Sequence, residues 1–354
     1  MRIVSVVGAR PQFIKAAPLL RELARTHQSV LIHTGQHYDR GMSAVFFAEL
    51  GLPEPDHHLG VGSGPHGAQT AAMLDRIDPV LAESRPDWVV VFGDTNSTLA
   101  GALAASKRCL KLAHVEAGLR SFNRAMPEEI NREIADHLAD ARFCPSDAAA
   151  ANLSREGIDS GVYVVGDLMA QSLASTIARA RADSTVLDRC GAAAGRFVLL
   201  TLHRAGTADD AGIVGRVVAA AAAHGDTVVF PVHPRTRRVL NGADVPDNVR
   251  LIEPVGYLEM LQLEASARLV LTDSGGVQKE AYWLGTPCIT LREETEWTET
   301  VDAGWNRLAG TDPARIVDTM RTFAPPARRP PLYDGGDVAR RIVTIIQDAT
   351  GHTA

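Results

Sequence analysis

Cysteine is scarce in this sequence, and the few cysteines form no pattern. The 354 residues contain four, at positions 109, 144, 190 and 288, and no two of them make a Cys-x-x-Cys pair. Scattered thiols of this kind exclude a disulfide framework or a cysteine-rich zinc site and suit a reducing compartment. The scattered thiols therefore predict a cytoplasmic protein. Because His-Glu-x-x-His spacing is also missing, the sequence predicts no metal site.

Long apolar runs and an excess of basic charge are absent too. The apolar run at 217–223 is far too short to span a bilayer, and the N-terminal run breaks at Gly8, before the length of a signal peptide core. The net charge is -6 and the pI about 6.1, so no basic field attracts nucleic acid or anionic lipid. We therefore predict no nucleic-acid partner and no membrane partner.

Short apolar runs alternate along the chain with helical stretches. Near-continuous apolar runs are typical of parallel strands that are covered by helices on both faces. One series of strands runs over 2–118 and a second over 196–291. The sequence predicts an α/β protein with two Rossmann-like domains that face each other across a cleft. We place the domains at 1–170 and 171–335, with a last helix in 336–354 that crosses back to the first domain.

Polar residues follow the predicted strands, where ligands bind in sheets of this class. They are Arg10, Gln36, His37, Asp94, Glu116, His203, His233 and Ser274. A lone histidine at such a position is more often packed than functional, but two of them at strand ends favour a site.

The stretch Asp-Ser-Gly-Gly at 273–276 follows an apolar strand and opens a helix. Gly275 and Gly276 would let the backbone approach a phosphate at the helix N-terminus, and Glu280 could accept hydrogen bonds from ribose hydroxyls. The alternative is a tight turn that needs glycine for packing. The stretch is not Gly-x-Gly-x-x-Gly, so it does not indicate a dinucleotide cofactor. Arg10 and Lys15, beside another glycine turn, could neutralise a diphosphate or could simply be solvated.

A carboxylate-rich segment lies at 94–133. Asp94 is expected to cap the following helix or to act as a catalytic carboxylate, and Glu116 follows the next strand. A helix should begin at Pro127 and bury the stripe Ile130, Ile134 and Leu138. Glu128 and Arg132 would then make either a surface ion pair, worth about 0.3–0.5 kcal/mol, or an oriented catalytic pair.

Seven segments resemble, in order, the motifs of the non-hydrolysing UDP-N-acetylglucosamine 2-epimerases. They are GARPQFIKAAPL, FGDTNSTLA, HVEAGLRS, PEEINR, TLHR, PVHPRTR and TDSGGVQKEA, and the resemblance spans Gly8 to about Gly310. It implies the two-domain fold of the GT-B glycosyltransferases, no nicotinamide cofactor, no obligatory metal and a homodimer.

The resemblance also implies residue roles in an anti elimination of UDP through a 2-acetamidoglucal. The acid and base carboxylates would be Asp94, Glu116 and Glu128, with Arg132 beside them and His203 near the diphosphate. UDP would be held by Arg10, His203, Ser274, Gly275, Gly276 and Glu280. Lys15, His233 and Arg292 complete the predicted substrate-binding set.

The sequence leaves two UDP-sugars as candidate substrates. The spellings ARPQ, HPRTR and TEW look closer to relatives that act on UDP-2,3-diacetamido-2,3-dideoxy-glucuronic acid, whereas the family reaction converts UDP-GlcNAc to UDP-ManNAc. A hydrolysing epimerase, a GT-B glycosyltransferase and a non-catalytic nucleotide-sugar sensor are the alternatives. The sensor is the weakest of these, because it would not need three carboxylates.

Overall fold

The computed structural model describes residues 1–36, 40–240, 244–333 and 335–351. The chain divides into two compact units. Unit 1 consists of Met1–Ser175 together with Tyr333–Ala354, and unit 2 is the continuous stretch Thr176–Leu332. No helix within the described ranges is long and apolar enough to cross a membrane.

Unit 1 is built on a seven-stranded sheet whose neighbouring strands all run parallel. Its strands are β1 (Arg2–Val7), β2 (Gln28–His33), β3 (His57–His58), β4 (Trp88–Phe92), β5 (Lys111–Val115), β6 (Ala141–Cys144) and β7 (Val162–Val164). Its helices are α1 (Arg10–Leu23), α2 (Arg40–Leu50), α3 (His66–Ser84), α4 (Asn96–Lys107), α5 (Pro127–Leu138), α6 (Asp147–Arg155) and the first part of α7 (Leu168–Asp183). The strand order is β3-β2-β1-β4-β5-β6-β7.

Unit 2 repeats this plan with a six-stranded parallel sheet. Its strands are β8 (Phe197–Thr201), β9 (Thr227–Pro231), β10 (Val249–Ile252), β11 (Leu269–Thr272), β12 (Cys288–Thr290) and β13 (Asn306–Leu308). Its helices after α7 are α8 (Val186–Cys190), α9 (Ala205–Ala208), α10 (Ala211–Ala222), α11 (Pro234–Val239), α12 (Tyr257–Ser266), α13 (Gly275–Leu284), α14 (Thr298–Asp302) and α15 (Pro313–Thr322). The strand order is β10-β9-β8-β11-β12-β13.

The last helix, α16 (Val338–Ala349), belongs to unit 1. It contacts α1 and buries the apolar side chains of Val338, Ala339, Ile342, Val343 and Ile346. Beyond the helix, the Thr350 hydroxyl accepts a hydrogen bond of 2.9 Å from the Trp88 indole. Unit 1 is therefore assembled from both ends of the chain.

The predicted architecture of two parallel α/β domains is confirmed. The apolar runs became strands because parallel strands are buried on both faces; all five residues of β4 and all five of β8, for example, are buried. In each sheet the direction of winding reverses once, between β1 and β4 and between β8 and β11. Ligands of such sheets bind beyond the carboxyl ends of the strands at this reversal.

Candidate functional site

The β1–α1 turn carries Arg10 at the reversal point of unit 1, and Gln12 fixes the turn. The Gln12 carbonyl oxygen accepts from the amides of Gly8 and Ala9, at 2.7 and 3.0 Å. Its amide nitrogen donates to the Phe92 carbonyl at 2.8 Å, which joins this turn to the end of β4. Arg10 is half-buried at the first position of α1, and its guanidinium lies over the Phe46 ring, 5.4 Å from the ring centroid.

Lys15 and Glu116 form a buried ion pair at the same sheet edge. Each side chain is 8% exposed. A Cβ atom built on Gly93 would stand 3.1 Å from both the Glu116 Oε2 atom and the Lys15 Nζ atom, so the pair lies against the turn after β4. Glu116 has a φ of 69°, a left-handed conformation that is rare for glutamate, and its backbone N–H donates a hydrogen bond to the Phe143 carbonyl at 3.0 Å.

Asp94 is not a helix cap. The N-cap of α4 is Thr95, so the capping alternative for Asp94 is wrong. The Asp94 carboxylate is instead 30% exposed and bonded at 2.5 Å to Arg132 Nη2. Asn131 donates to the Asp94 backbone carbonyl at 2.8 Å, so α5 holds both the backbone and the side chain of this residue.

The prediction that Ile130, Ile134 and Leu138 form the buried stripe of helix α5 is wrong. Ile130 is 38% exposed, and Ile134 and Leu138 are half-buried, with Leu138 packed against the core of unit 1. The buried residues are Glu129, Asn131, Arg132, Ala135 and Asp136. Apolar spacing failed as a guide because every buried charge on the other face has a partner, which removes the cost of burying it.

Glu129 is the centre of that inward polar face. Its carboxylate accepts from the amides of Ser121 and Phe122 and from the Ser121 hydroxyl, at 2.8–3.1 Å, and from Arg132 at 2.7 Å. Burial alone would raise the Glu129 pKa. The hydrogen bonds from the backbone N–H groups and the charge of Arg132 outweigh burial and lower the pKa. Glu129 is therefore an anion that fixes Arg132.

Glu128 lies half-buried in the first turn of α5, one residue before this network. The Arg132 guanidinium bonds Glu129 at 2.7 Å and Asp94 at 2.5 Å, and the Glu128–Arg132 pair expected from the sequence stays a prediction. Asp94 and Glu116 come together around Gly93, and Arg132 connects Asp94 to the helix that carries Glu128.

Unit 2 presents the Asp-Ser-Gly-Gly turn at its own reversal point. Asp273 is fully buried, and its carboxylate accepts from the backbone amides of His203 and Arg204 at 2.9 and 3.0 Å. This contact joins the ends of β8 and β11 and leaves the His203 side chain 47% exposed. Helix α13 begins at Gly275, and its N-cap Ser274 makes no side-chain capping bond. The first-turn amides are therefore suited to an anionic ligand.

The side chains of Glu296 and Trp297 lie directly beside Gly275. A Cβ atom at this position would stand 2.5 Å from the Glu296 Oε1 atom and 3.0 Å from the Trp297 Nε1 atom. Glu296 is held in turn by Arg292, at 2.9 Å, and both side chains are nearly buried. Arg292, which was predicted from the sequence, thus lies near the Gly275 turn through its bond to Glu296. Glu296 was not predicted from the sequence.

The remaining predicted residues are more scattered. Gly276 follows in the first turn of α13, Glu280 is buried one turn later, and His233 is exposed after β9. Gln36 accepts from the amide and hydroxyl of Ser97, whereas His37 lies outside the described residues.

Four residues that fix the polar turns of the two units were not assigned a role from the sequence, although each lies within one of the motifs: Gln12, Glu129, Asn131 and Asp273. The available signal was that each is polar and lies within two positions of an assigned residue. Their role depends on partners that are distant in sequence.

Glu264, on α12, has a buried carboxyl group. Neither of its oxygens has a hydrogen-bond partner within the described ranges. Burial, and then the nearby Glu280, raise its pKa well above the ordinary value. The folded pKa therefore exceeds the unfolded one, and the free energy of unfolding falls as the pH rises from about 4.3 toward the folded pKa.

We expect Glu264→Gln to raise the thermal unfolding midpoint at pH 7 and to change it little at about pH 4, where the unfolded glutamate is also largely protonated. Calorimetry at both pH values measures the difference. Glu259→Gln, on the same helix in a more exposed pair with Arg189, is the matched control, and it should not raise the midpoint at pH 7. An equal gain at both pH values would contradict the prediction.

Known proteins resemble this chain over nearly its whole length. The family model described as UDP-N-acetylglucosamine 2-epimerase matches residues 21–347. A Methanococcus maripaludis protein named "UDP-N-acetylglucosamine 2-epimerase homolog" is 48% identical, over 92% of this chain and 93% of its own. The UDP-2,3-diacetamido-2,3-dideoxy-D-glucuronate 2-epimerase of Pseudomonas aeruginosa is 44% identical, over 97% and 98% of the two chains.

Among solved structures, the Methanocaldococcus jannaschii UDP-GlcNAc 2-epimerase in complex with UDP-GlcNAc and UDP is similar to this chain with a TM-score of 0.93. It is 40% identical, and the match covers 98% of this chain and 100% of that one.

Proposed function

Because the chain belongs to the UDP-N-acetylglucosamine 2-epimerase family, we propose that it inverts C2 of a UDP-linked 2-acetamido sugar, converting UDP-GlcNAc to UDP-ManNAc. The observation that carries the proposal is the pairing of carboxylates with cations at one sheet edge. Asp94 is bonded to Arg132, and Glu116 to Lys15, around the turn after β4.

The chemistry requires such a set. C2–H is not adjacent to a carbonyl, so it is acidic enough only if the anomeric C–O bond breaks as the proton leaves. A carboxylate takes the C2 proton, the C–H electrons form the C1–C2 double bond, and UDP departs with the C–O electrons. A second carboxylate then returns a proton to the opposite face of C2, and the UDP oxygen attacks C1. Asp94, Glu116 and Glu128 are the proton carriers we propose.

The leaving diphosphate needs positive charge and hydrogen-bond donors, since it gains a negative charge in the transition state. We assign this role to Arg10, His203 and the first-turn amides of α13 at Ser274–Gly276. Glu280 is assigned to the ribose hydroxyls, with Lys15, His233 and Arg292 as further substrate-binding residues. Asp273 supports this arrangement because it fixes the backbone of His203.

The sugar has one specific competitor, since a relative that is 44% identical is named for UDP-2,3-diacetamido-2,3-dideoxy-D-glucuronate. Purified protein incubated separately with that nucleotide sugar and with UDP-GlcNAc gives the ratio of the two kcat/KM values. The larger value identifies the substrate. Release of free UDP would instead indicate a hydrolysing epimerase, and turnover only with an acceptor sugar would indicate a glycosyltransferase.

Product formed in heavy water should carry deuterium at C2, with no cofactor added. The proton that a carboxylate removes exchanges with solvent before a proton is returned to the other face. Mass spectrometry and proton NMR of the epimerised product measure the label, and substrate kept in heavy water without enzyme is the control. A product that retains its original C2 hydrogen would contradict the elimination mechanism.

We also propose that the enzyme is a cytoplasmic homodimer, by analogy with the family that its motifs resemble. Sedimentation equilibrium at micromolar concentration tests the dimer, because it gives the mass in solution directly. A mass equal to the 37.9 kDa of one chain at every concentration would exclude it.

A further inference from the structure

A buried polar chain lies behind the proposed carboxylates. It consists of Arg120, Asp136 and His114, which are 3%, 0% and 0% exposed. Arg120 Nη1 bonds one Asp136 oxygen at 2.7 Å, and the other Asp136 oxygen lies 2.7 Å from His114 Nδ1. The second ring nitrogen, His114 Nε2, lies 2.7 Å from the Gly93 carbonyl oxygen. The chain therefore ends on the peptide group that precedes Asp94.

His114 fixes this peptide relative to β5. A carbonyl oxygen only accepts hydrogen bonds, so His114 Nε2 carries a hydrogen and donates it to Gly93. The Gly93 amide donates in the other direction, to the Val115 carbonyl at 2.9 Å. The backbone amide and the backbone carbonyl of Gly93 are thus both bonded to β5, and Glu116 directly follows that strand, two residues after His114. The position of Asp94 relative to Glu116 depends on these two bonds.

Helix α5 holds the other side of the same turn. Asn131 and Arg132 bond the backbone and the carboxylate of Asp94, and Asp136 follows Arg132 by one helical turn on the buried face. Asp136 also accepts from the Gly118 amide at 3.1 Å, just beyond Glu116. The same helix therefore holds Asp94, through Asn131 and Arg132, and also holds His114, through Asp136.

We propose that His114 and Asp136 are positioning residues, which set the separation of the Asp94 and Glu116 carboxylates without touching the sugar. The inference rests on the proposed function, in which one carboxylate serves each face of C2. A displacement of about 1 Å in such a site can cost about 100-fold in rate. Substrate binding does not depend on the distance between the Asp94 and Glu116 carboxylates. Loss of either positioning residue should therefore lower kcat and leave KM nearly unchanged.

The test compares His114→Ala with His114→Gln. The alanine variant should lower kcat about 10- to 100-fold and leave KM within about 2-fold, because it misplaces the reacting groups rather than the binding groups. Glutamine retains an amide that can donate to Gly93, so it should recover at least part of the lost kcat. Ile77→Ala, a fully buried change in the core of the same unit, is the control for destabilisation alone. It should lower the unfolding midpoint and leave kcat unchanged.

A double-mutant cycle isolates the path through Asp94. In an Asp94→Asn background, His114→Ala should cost less than about 2-fold in addition, because the group that it positions is already lost. A full additional loss, or a kcat that falls in Ile77→Ala as it does in His114→Ala, would overturn the inference. If His114→Ala does not fold, Asp136→Asn preserves the side-chain volume and takes its place in the cycle with the same expectations.

The two proposals fail in different ways. A wild-type protein that inverts C2 while His114→Ala and Asp136→Asn retain full kcat overturns the positioning role alone. A wild-type protein that inverts C2 of neither UDP sugar overturns the proposed function, and the positioning role with it.

Discussion

Asp94→Asn, Glu116→Gln and Glu128→Gln are each expected to lower turnover about 100-fold or more, within the range of roughly 10²–10⁴ for general acid–base groups. Each change keeps the size of the side chain and removes its capacity to take and return a proton. Initial rates of C2 inversion measure turnover, and calorimetry with UDP measures binding, which should change much less.

Glu133→Gln is the matched control for these variants. Glu133 lies on the same helix as Glu128 but pairs at 3.4 Å with Arg124, whose side chain is 75% exposed. Exposed pairs of this kind contribute little, so both turnover and stability should be unchanged. Near-normal turnover in all three test variants would remove the carboxylates from the mechanism.

Gly275→Leu should abolish UDP binding at ordinary concentrations, with a loss of affinity of ~100-fold or more, equivalent to ~2.7 kcal/mol. The new side chain would stand between the first-turn amides of α13 and a phosphate, and its Cβ would also collide with Glu296, at 2.5 Å. Isothermal calorimetry with UDP measures the loss, and circular dichroism checks that the fold persists.

The control for this variant is Gly215→Leu. Gly215 lies in α10 of the same unit, and a Cβ there meets no atom within 4 Å. UDP affinity should be unaffected. Unchanged UDP binding by Gly275→Leu itself would mean that the phosphate binds elsewhere.

The sheets were predictable from the sequence because a parallel strand that is buried on both faces needs a nearly continuous run of apolar residues. The runs RIVSVV and WVVVF are apolar apart from Arg2 and Ser5, and every residue in them except Arg2 is buried. The strands that went unpredicted are β3, β6, β7 and β13, which have only two to four residues each. β12 is equally short, with three residues, but it lies inside the longer run TPCITL, whereas β3 and β13 consist mostly of polar residues.

Helix α5 shows what apolar spacing cannot reveal. The helix has two stripes at helical spacing, one apolar and one charged, and the charged one is the more deeply buried. The charged stripe is buried because Asp94, Ser121 and His114 supply its partners. Those partners lie on other elements, so no window that contains α5 alone includes them. The same reason explains why Asp94 could not be distinguished from the capping residue beside it.

The discontinuity of unit 1 has a consequence for the order of events during translation. Unit 2 is one uninterrupted stretch, so all of its strands leave the ribosome before α16 does. Domains generally fold as whole units while the chain is still being made, yet the unit that contains Asp94, Glu116 and Glu128 lacks α16 until all of unit 2 has been made. A nascent chain halted before Val338 would possess every strand of the second sheet and an uncovered α1, and so it would expose apolar surface that chaperones recognise.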